Sequence, residues 1–276
     1  MQKSDLSRKC INNNILKKII FSFDYQGMID SDTFIIEITE YLHSKFKDYY
    51  KSSMHVDFNL EKIESISQSI SIPVAEVGKQ ILHIFSDNSF GSDNLTLKIS
   101  NYNTLLEIEC IDYKGIDHYM DFIIEYLKNL FEKNSFLSLK KFEIRKININ
   151  IYDSLSELHN DFEPKYFSFV NESELGLKLS RYRNEDTLID QETNLKISFL
   201  RLIDFGKIVD TEGKQEKAGY RAILDLSGSL SGEKMRSYSK LSDLVDLLKY
   251  TNDVVLFNIF KLSFTNNFLS KKTPSL

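Results

Sequence analysis

Leu139-Lys-Lys-Phe-Glu-Ile-Arg-Lys-Ile-Asn-Ile-Asn-Ile151 contains neither Gly nor Pro, and turn-forming pairs bound it at Asn134-Ser135 and Asp153-Ser154. Its β-branched residues and its period of two describe one long strand. Phe142 and Ile144 fall on one parity, whereas Ile147, Ile149 and Ile151 fall on the other. Such a switch predicts a β-bulge, or a change of packing partner, between Ile144 and Ile147.

A similar strand lies near the N-terminus, where Ile15, Ile19, Phe21, Phe23 and Tyr25 oppose Lys18, Ser22 and Asp24. A helix is expected after each strand. Past Gly27, Ser31 is placed to cap one carrying Phe34, Ile35, Ile38, Leu42 and Phe46. In the second half, Ser154 and Glu157 have capping-box spacing and open a short helix to about Asn160. Four strands then follow in each half. The first set is Met54–Glu61, Gln80–Phe85, Leu95–Ser100 and Leu105–Asp112, with a polar connection from Lys62 to Pro73 and turn signals at Asp87-Asn88, Gly91 and Asn101–Asn103. The second set is Tyr166–Val170, Leu175–Arg181, Leu195–Phe205 and Gly219–Leu226. Each set closes on a helix. Asp117 caps the first, whose stripe is Met120, Ile123, Ile124, Leu127, Leu130 and Phe131. The last helix follows a Gly/Ser loop, Ser227–Gly232, and carries Leu241, Leu244, Val245, Leu248, Val255, Ile259, Phe260 and Phe264, with a kink or division at Thr251-Asn252.

The order of strand, helix, four strands and helix therefore occurs twice. Corresponding starts (15 and 139, 32 and 154, 117 and 240) are offset by about 122–124 residues, a repeat of pattern without residue identity. The expected fold class is α+β, with two tandem strand-helix-four-strand-helix units forming curved antiparallel sheet and helices on one face. Residues 1–14 form an N-terminal tail, 15–135 the first unit, 136–270 the second and 271–276 a C-terminal tail. This topology resembles the repeat of the TATA-binding protein and other helix-grip domains. There the first strands of the two repeats join, so Ile15–Tyr25 is expected to pair with Leu139–Ile151. The likeness carries no motif and no function.

A second resemblance rests on particular residues. Ile144-Arg145-Lys146-Ile147-Asn148, Asp225, Asn252-Asp253, Phe260, Ser263 and Thr265 look like their counterparts in a sporadically distributed family of uncharacterised bacterial proteins of about this length. The likeness runs from roughly residue 15 to 270. Since that family has no settled activity, it implies a bacterial accessory protein and no particular chemistry.

The 276 residues hold 35 Lys+Arg against 40 Asp+Glu, a formal charge of −5, with 42% hydrophobic residues. That apolar content suffices for a core and excludes a disordered chain. Mild acidity disfavours general nucleic-acid binding, which neutralises phosphates with Lys and Arg, although a local basic patch stays open. Cys10 and Cys110 are too few for a disulfide-stapled secreted domain. The leading MQKSDLSRKCINNN has no apolar core for a Sec signal. Val254–Phe264, the longest apolar stretch, is broken by Asn258, Lys261 and Ser263, too short and polar for a membrane span. A cytoplasmic protein without membrane association is expected.

Motifs for catalysis are weak. Glu40-x-x-His43 has the spacing of half a di-metal carboxylate site, but Glu157-Leu158-His159 does not supply the other half, and an exposed helix face explains the pair. His55, Asp57, Asn59 and Glu61 share one side of a strand, where His55 and Asp57 are the candidates for a dispersed acid–base site. Ordinary alternation explains them equally. Cys110 and His118 can approach as a thiol–imidazole pair, yet Cys110 has the parity of Leu106 and Ile108, as a buried cysteine would. Gly228-Ser-Leu-Ser-Gly232-Glu-Lys234 has the wrong spacing for a P-loop. No catalytic residue, metal or cofactor is therefore assigned.

Basic residues remain. Lys18 on the first strand and Lys141 and Arg145 on its counterpart converge if the two strands are neighbours. Arg181 and Arg183, flanking Tyr182, form a second basic-aromatic cluster. These five are the candidate ligand-binding residues, with ion pairing to Glu107, Glu109 and Glu143 as the structural alternative. The function expected is a non-enzymatic binding or adaptor protein that holds a protein partner on its exposed sheet face or unit junction. The alternative is a nucleic-acid or nucleotide binder using the central basic strands, distinguished by whether those charges lack partner carboxylates.

Overall fold

The computed structural model describes residues 15–54, 80–90, 93–111, 113, 115–167, 178–209 and 216–271. The N-terminal alternation forms β1 (Leu16–Gln26), which ends where Gly27 takes φ 109°, a conformation only glycine adopts easily. The expected first helix is two short ones, α1 (Ser31–Glu37) and α2 (Thr39–Lys45), divided at Ile38. Its cap is Asp30 rather than Ser31, and the Asp30 carboxylate accepts from the Thr33 amide.

Next come β2 (Asp48–Met54), β3 (Gln80–Phe90), β4 (Asp93–Ser100) and β5 (Asn103–Glu109). The strand expected over Met54–Glu61 thus begins earlier, at Asp48, and its later residues lie outside the described ones. Asp87-Asn88, expected as a turn, lies within β3. The amphipathic stripe after Gly115 becomes α3 (Asp117–Lys133), the longest α-helix among the described residues.

β6 (Ser138–Tyr152) opens the second half and leads into α4 (Leu155–Asp161). Ser154 caps the helix as expected, with the Glu157 amide donating to Ser154 Oγ at 3.2 Å, while the Glu157 carboxylate reaches one residue farther than a capping box requires and accepts from the Asp153 amide at 3.0 Å. Of the strand expected at Tyr166–Val170, Tyr166 is in a turn, Phe167 is irregular and the rest lies outside the described residues. Of the strand expected at Leu175–Arg181, residues 175–177 lie outside the described ones and 178–180 are irregular, and β7 (Arg181–Ile189) sits on the charged run that follows. β8 (Lys196–Val209) and β9 (Glu216–Ser231) follow.

The Gly/Ser segment is not a loop but the end of β9, continued by a 3-10 turn over Gly232–Tyr238. Then come α5 (Leu241–Lys249), a π-helical segment (Tyr250–Leu256), α6 (Phe257–Ser263) and α7 (Asn266–Lys271). The expected division at Thr251-Asn252 falls in the π segment, where the helix widens instead of bending at a proline.

Among the described residues, nine strands form one antiparallel sheet in the order β2-β3-β4-β5-β1-β6-β9-β8-β7. The expected central pairing is present: β1 and β6 run antiparallel, with Ile19 opposite Lys146, Phe21 opposite Ile144 and Phe23 opposite Phe142. The Phe23 and Phe142 rings stack with centroids 6.2 Å apart. One face carries Ile19, Phe21, Phe23, Leu97, Leu106, Ile144, Phe199 and Leu226, all buried in the same core as the apolar stripes of α3 and α5. The opposite face is half-exposed.

No bulge separates Ile144 from Ile147. β6 pairs with β9 without a shift from Lys141 to Tyr152, and the β1–β6 shifts lie elsewhere, at Leu16/Lys18 and Asp24/Tyr25. The apolar switch has a different physical cause, because Lys146 and Asn148 occupy the buried parity and the isoleucines turn outward. The π segment rests on this part of the sheet, and a Cβ added to Gly228 of β9 would lie 2.7 Å from Thr251 Cγ2. Gly228→Ala should therefore cost about 1–3 kcal/mol by overpacking. Adding Thr251→Ser, which removes that methyl and keeps the hydroxyl that bonds the Leu247 carbonyl, should recover most of the loss in urea unfolding.

Candidate functional site

β6 presents different chemistry on its two faces. Toward the helices, Lys146 is 6% exposed and Asn148 4%. The Lys146 ammonium reaches the backbone carbonyl of Asn252 at 3.4 Å, in the π segment, and Asn148 Nδ2 donates to the Leu224 carbonyl at 3.1 Å. Asn252 is fully buried, and its amide donates to Asp253 Oδ1 at 2.5 Å while its own Oδ1 has no hydrogen-bond partner. A buried ammonium is tolerated only where acceptors replace water. A π turn meets that need, since it shifts carbonyls out of the i→i−4 ladder.

Toward solvent, Ile147, Ile149 and Ile151 line the other face, Ile151 at 52% exposure. Cross-strand register extends the apolar strip: Ile149 lies opposite Ile223 of β9, which lies opposite Leu202 of β8. Where β1, the end of β5 and β6 meet, a groove of about 540 Å³ is lined by Lys17, Lys18, Glu109, Ile111, Ile147 and Ile149.

Salt bridges surround this strip. Lys18 reaches Glu107 at 3.2 Å and Glu109 at 3.7 Å, and Glu107 also holds Lys98 at 2.5 Å. Burial works to raise the Glu107 pKa, but hydrogen bonds from Lys98 and Lys18 outweigh it and hold the carboxyl below its usual range. Lys141 pairs with Glu143. Arg145 is bidentate on Asp225, Nε to Oδ1 at 2.9 Å and Nη2 to Oδ2 at 2.5 Å, and these hydrogen bonds raise its pKa further. Arg181 shares Asp204 with Arg221, at 3.3 and 3.1 Å, and Arg183 pairs with Glu185 at 3.2 Å.

The five candidate residues thus do not form one cluster. Lys18 and Arg145 sit on adjacent strands, with Lys18 opposite Ile147 and Ile20 opposite Arg145, and Lys141 lies farther along β6, opposite Asp24. Arg181 and Arg183 are three strand spacings from β6, roughly 14 Å away. Each of the five has a carboxylate within salt-bridge distance.

The other sequence candidates are dispersed. Glu40 and His43 are exposed on α2. His55, Asp57 and Cys10 lie outside the described residues. Cys110 is buried, its thiol directed at the Ile108 carbonyl at 3.7 Å, and His118 is exposed with its ring against Tyr119. Among the described residues no group of three or more His, Cys, Asp and Glu is placed to hold a metal ion, and no helix is long and apolar enough to cross a membrane.

Among the buried polar groups that the sequence reading does not find are His83 and Arg201. His83 of β3, 1% exposed, accepts from or donates to the Tyr49 hydroxyl through Nδ1 at 3.0 Å. Its Nε2 lies 3.1 Å from Asp32 Oδ1 without hydrogen-bond alignment, and Lys51 holds the same oxygen at 2.6 Å. Burial lowers the His83 pKa, with Asp32 opposing the shift. Arg201 of β8, 3% exposed, donates to the Tyr166 carbonyl at 3.0 Å, pairs with Asp186 and stacks on Phe199. Both constellations join residues far apart in the chain, and only a polar residue on an otherwise apolar parity signals either one.

The Arg145–Asp225 pair is a bidentate contact beside the isoleucine strip. Asp225 has an 8% exposed residue surface, so losing its partner leaves a nearly buried carboxylate uncompensated. Arg145→Ala should lower stability by about 1–3 kcal/mol in urea unfolding, and Arg145→Ala/Asp225→Ala by less than the sum of the two single changes.

No protein-family model matches this chain, and neither the curated proteins nor the solved structures provide a match.

Proposed function

We propose that this chain is a non-enzymatic binding or adaptor protein of the bacterial accessory type, holding a protein partner on its open sheet face at the junction of two tandem units. The tandem reading is supported by the strand order outward from β1–β6. Each half places its last strand beside its first, β5 beside β1 and β9 beside β6.

One observation carries the functional reading. β6 turns Lys146 and Asn148 inward and Ile147, Ile149 and Ile151 toward solvent, the reverse of what burial alone favours. An apolar strip ringed by polar groups has the anatomy of a protein interface. Intramolecular pairing of Lys18, Lys141 and Arg145 supports this over phosphate binding, since those charges already have carboxylate partners. The proximity of Lys18 and Arg145 still gives the nucleic-acid or nucleotide alternative a specific place to be tested.

Ile149→Asp and Ile223→Asp put charge on the strip, whereas Glu132→Lys alters an exposed position on α3. In pull-downs from the native host, at least one protein should be captured by the wild type and Glu132→Lys and lost from both aspartate variants. Capture unchanged by the aspartates contradicts the reading. Oligonucleotide binding that falls steeply with salt and is lost in Arg145→Glu would replace it with the alternative.

A further inference from the structure

β7 is one end of the sheet, and among the described residues its strand neighbour is β8 alone. Every residue of β7 except Tyr182 is exposed. The strand has no Pro or Gly, and its pairing with β8 has no register shift, so a bulge or proline does not blunt this edge. Its direction of hydrogen bonding follows from one contact. The Phe205 amide donates to the Ser180 carbonyl at 3.0 Å, and Arg181 lies opposite Asp204. By antiparallel alternation, even-numbered residues bond to β8, while Arg181, Arg183, Glu185, Thr187 and Ile189 direct their N–H and C=O groups outward.

We propose that β7 pairs antiparallel with β7 of a second copy of this chain, about a twofold axis through Asn184, joining two sheets into one. This interface is separate from the open-face site and does not depend on it. A twofold axis perpendicular to the sheet keeps both sets of helices on one side, and it places residues of equal parity opposite each other. With Asn184 on the axis, Arg183 faces Glu185 of the second copy and Glu185 faces its Arg183. Both pairs occupy hydrogen-bonded positions that use the outward backbone groups. Ile189, 67% exposed, then faces Leu179. Moving the axis to Arg183 or to Glu185 places like charges directly opposite each other, which is destabilising. Charge therefore selects the Asn184 register, and it selects a second copy because the run Arg-Asn-Glu is complementary to itself when reversed.

Sedimentation of the full chain over a wide concentration range tests the proposal. A closed dimer is expected. Arg183→Glu and Glu185→Arg should each weaken it at least about tenfold, and the double variant, whose edge is again complementary, should restore it. Because the residue 185 N–H points away from β8, Glu185→Pro should leave the fold intact and give a monomer. In a Cys10→Ser background, Asn184→Cys should give a disulfide-linked dimer on mild oxidation, since residues facing each other at a non-hydrogen-bonded site are about 4.5 Å apart at Cα. A wild-type monomer throughout, an open-ended polymer, or a charge-swapped double variant as weak as either single change would overturn the proposal.

Discussion

The antiparallel contact of β1 with β6 is the constraint on which the rest of the sheet depends. β1 is held by β5 on one side and β6 on the other, and β6 is held by β1 and β9, so among the described residues this is the strand pairing that connects the two halves. Without it, each half ends in a bare edge through the middle of the core that contains Phe21, Phe23, Phe142 and Ile144. Register shifts occur near both ends of the contact and leave its centre regular. One of them, at Leu16/Lys18, adjoins the groove lined by Lys17, Lys18, Ile147 and Ile149. The geometry that joins the halves therefore also shapes the surface at their junction.

That pairing makes β6 a strand with two demands on it. Its inner face must support the π segment, and Lys146 does so by donating to the Asn252 carbonyl. Gly228 on the neighbouring strand lets Thr251 approach to a distance that a methyl group would block. With polar residues committed inward, the outer parity carries the isoleucines. Charge on that face is balanced locally by Lys98, Lys18 and Glu107, by Lys141 and Glu143, and by Arg145 and Asp225. Balanced pairs screen poorly as phosphate sites and well as a polar rim around an apolar strip.

Much of the architecture was legible because local pattern and tertiary demand agree. Alternation in Ile15–Tyr25, the stripe of α3 and the Ser154/Glu157 spacing each have one structural outcome, and the strands expected at Ile15–Tyr25 and Leu139–Ile151 do pair. Failures cluster where a polar residue takes an apolar position. The Ile144–Ile147 switch looks like a bulge because periodicity assumes that the buried parity is apolar, and Lys146 breaks that assumption. Periodicity gives no sign of β7 because Arg181–Ile189 is held through β8 and its charge pairs, with little hydrophobic signal in the strand itself. The arrangement of Asp32, Tyr49, Lys51 and His83 has His83 on an apolar parity as its one local sign, since three separate segments supply it.

The most direct test of this account is equilibrium unfolding of residues 1–135 expressed alone, compared with the whole chain. If the sheet depends on the β1–β6 contact, the fragment exposes one edge of β1 and should be associated or only partly folded, with a shallow transition far below that of the intact protein. A monomeric, fully folded fragment that unfolds as steeply and at as high a denaturant concentration as the whole chain would contradict it.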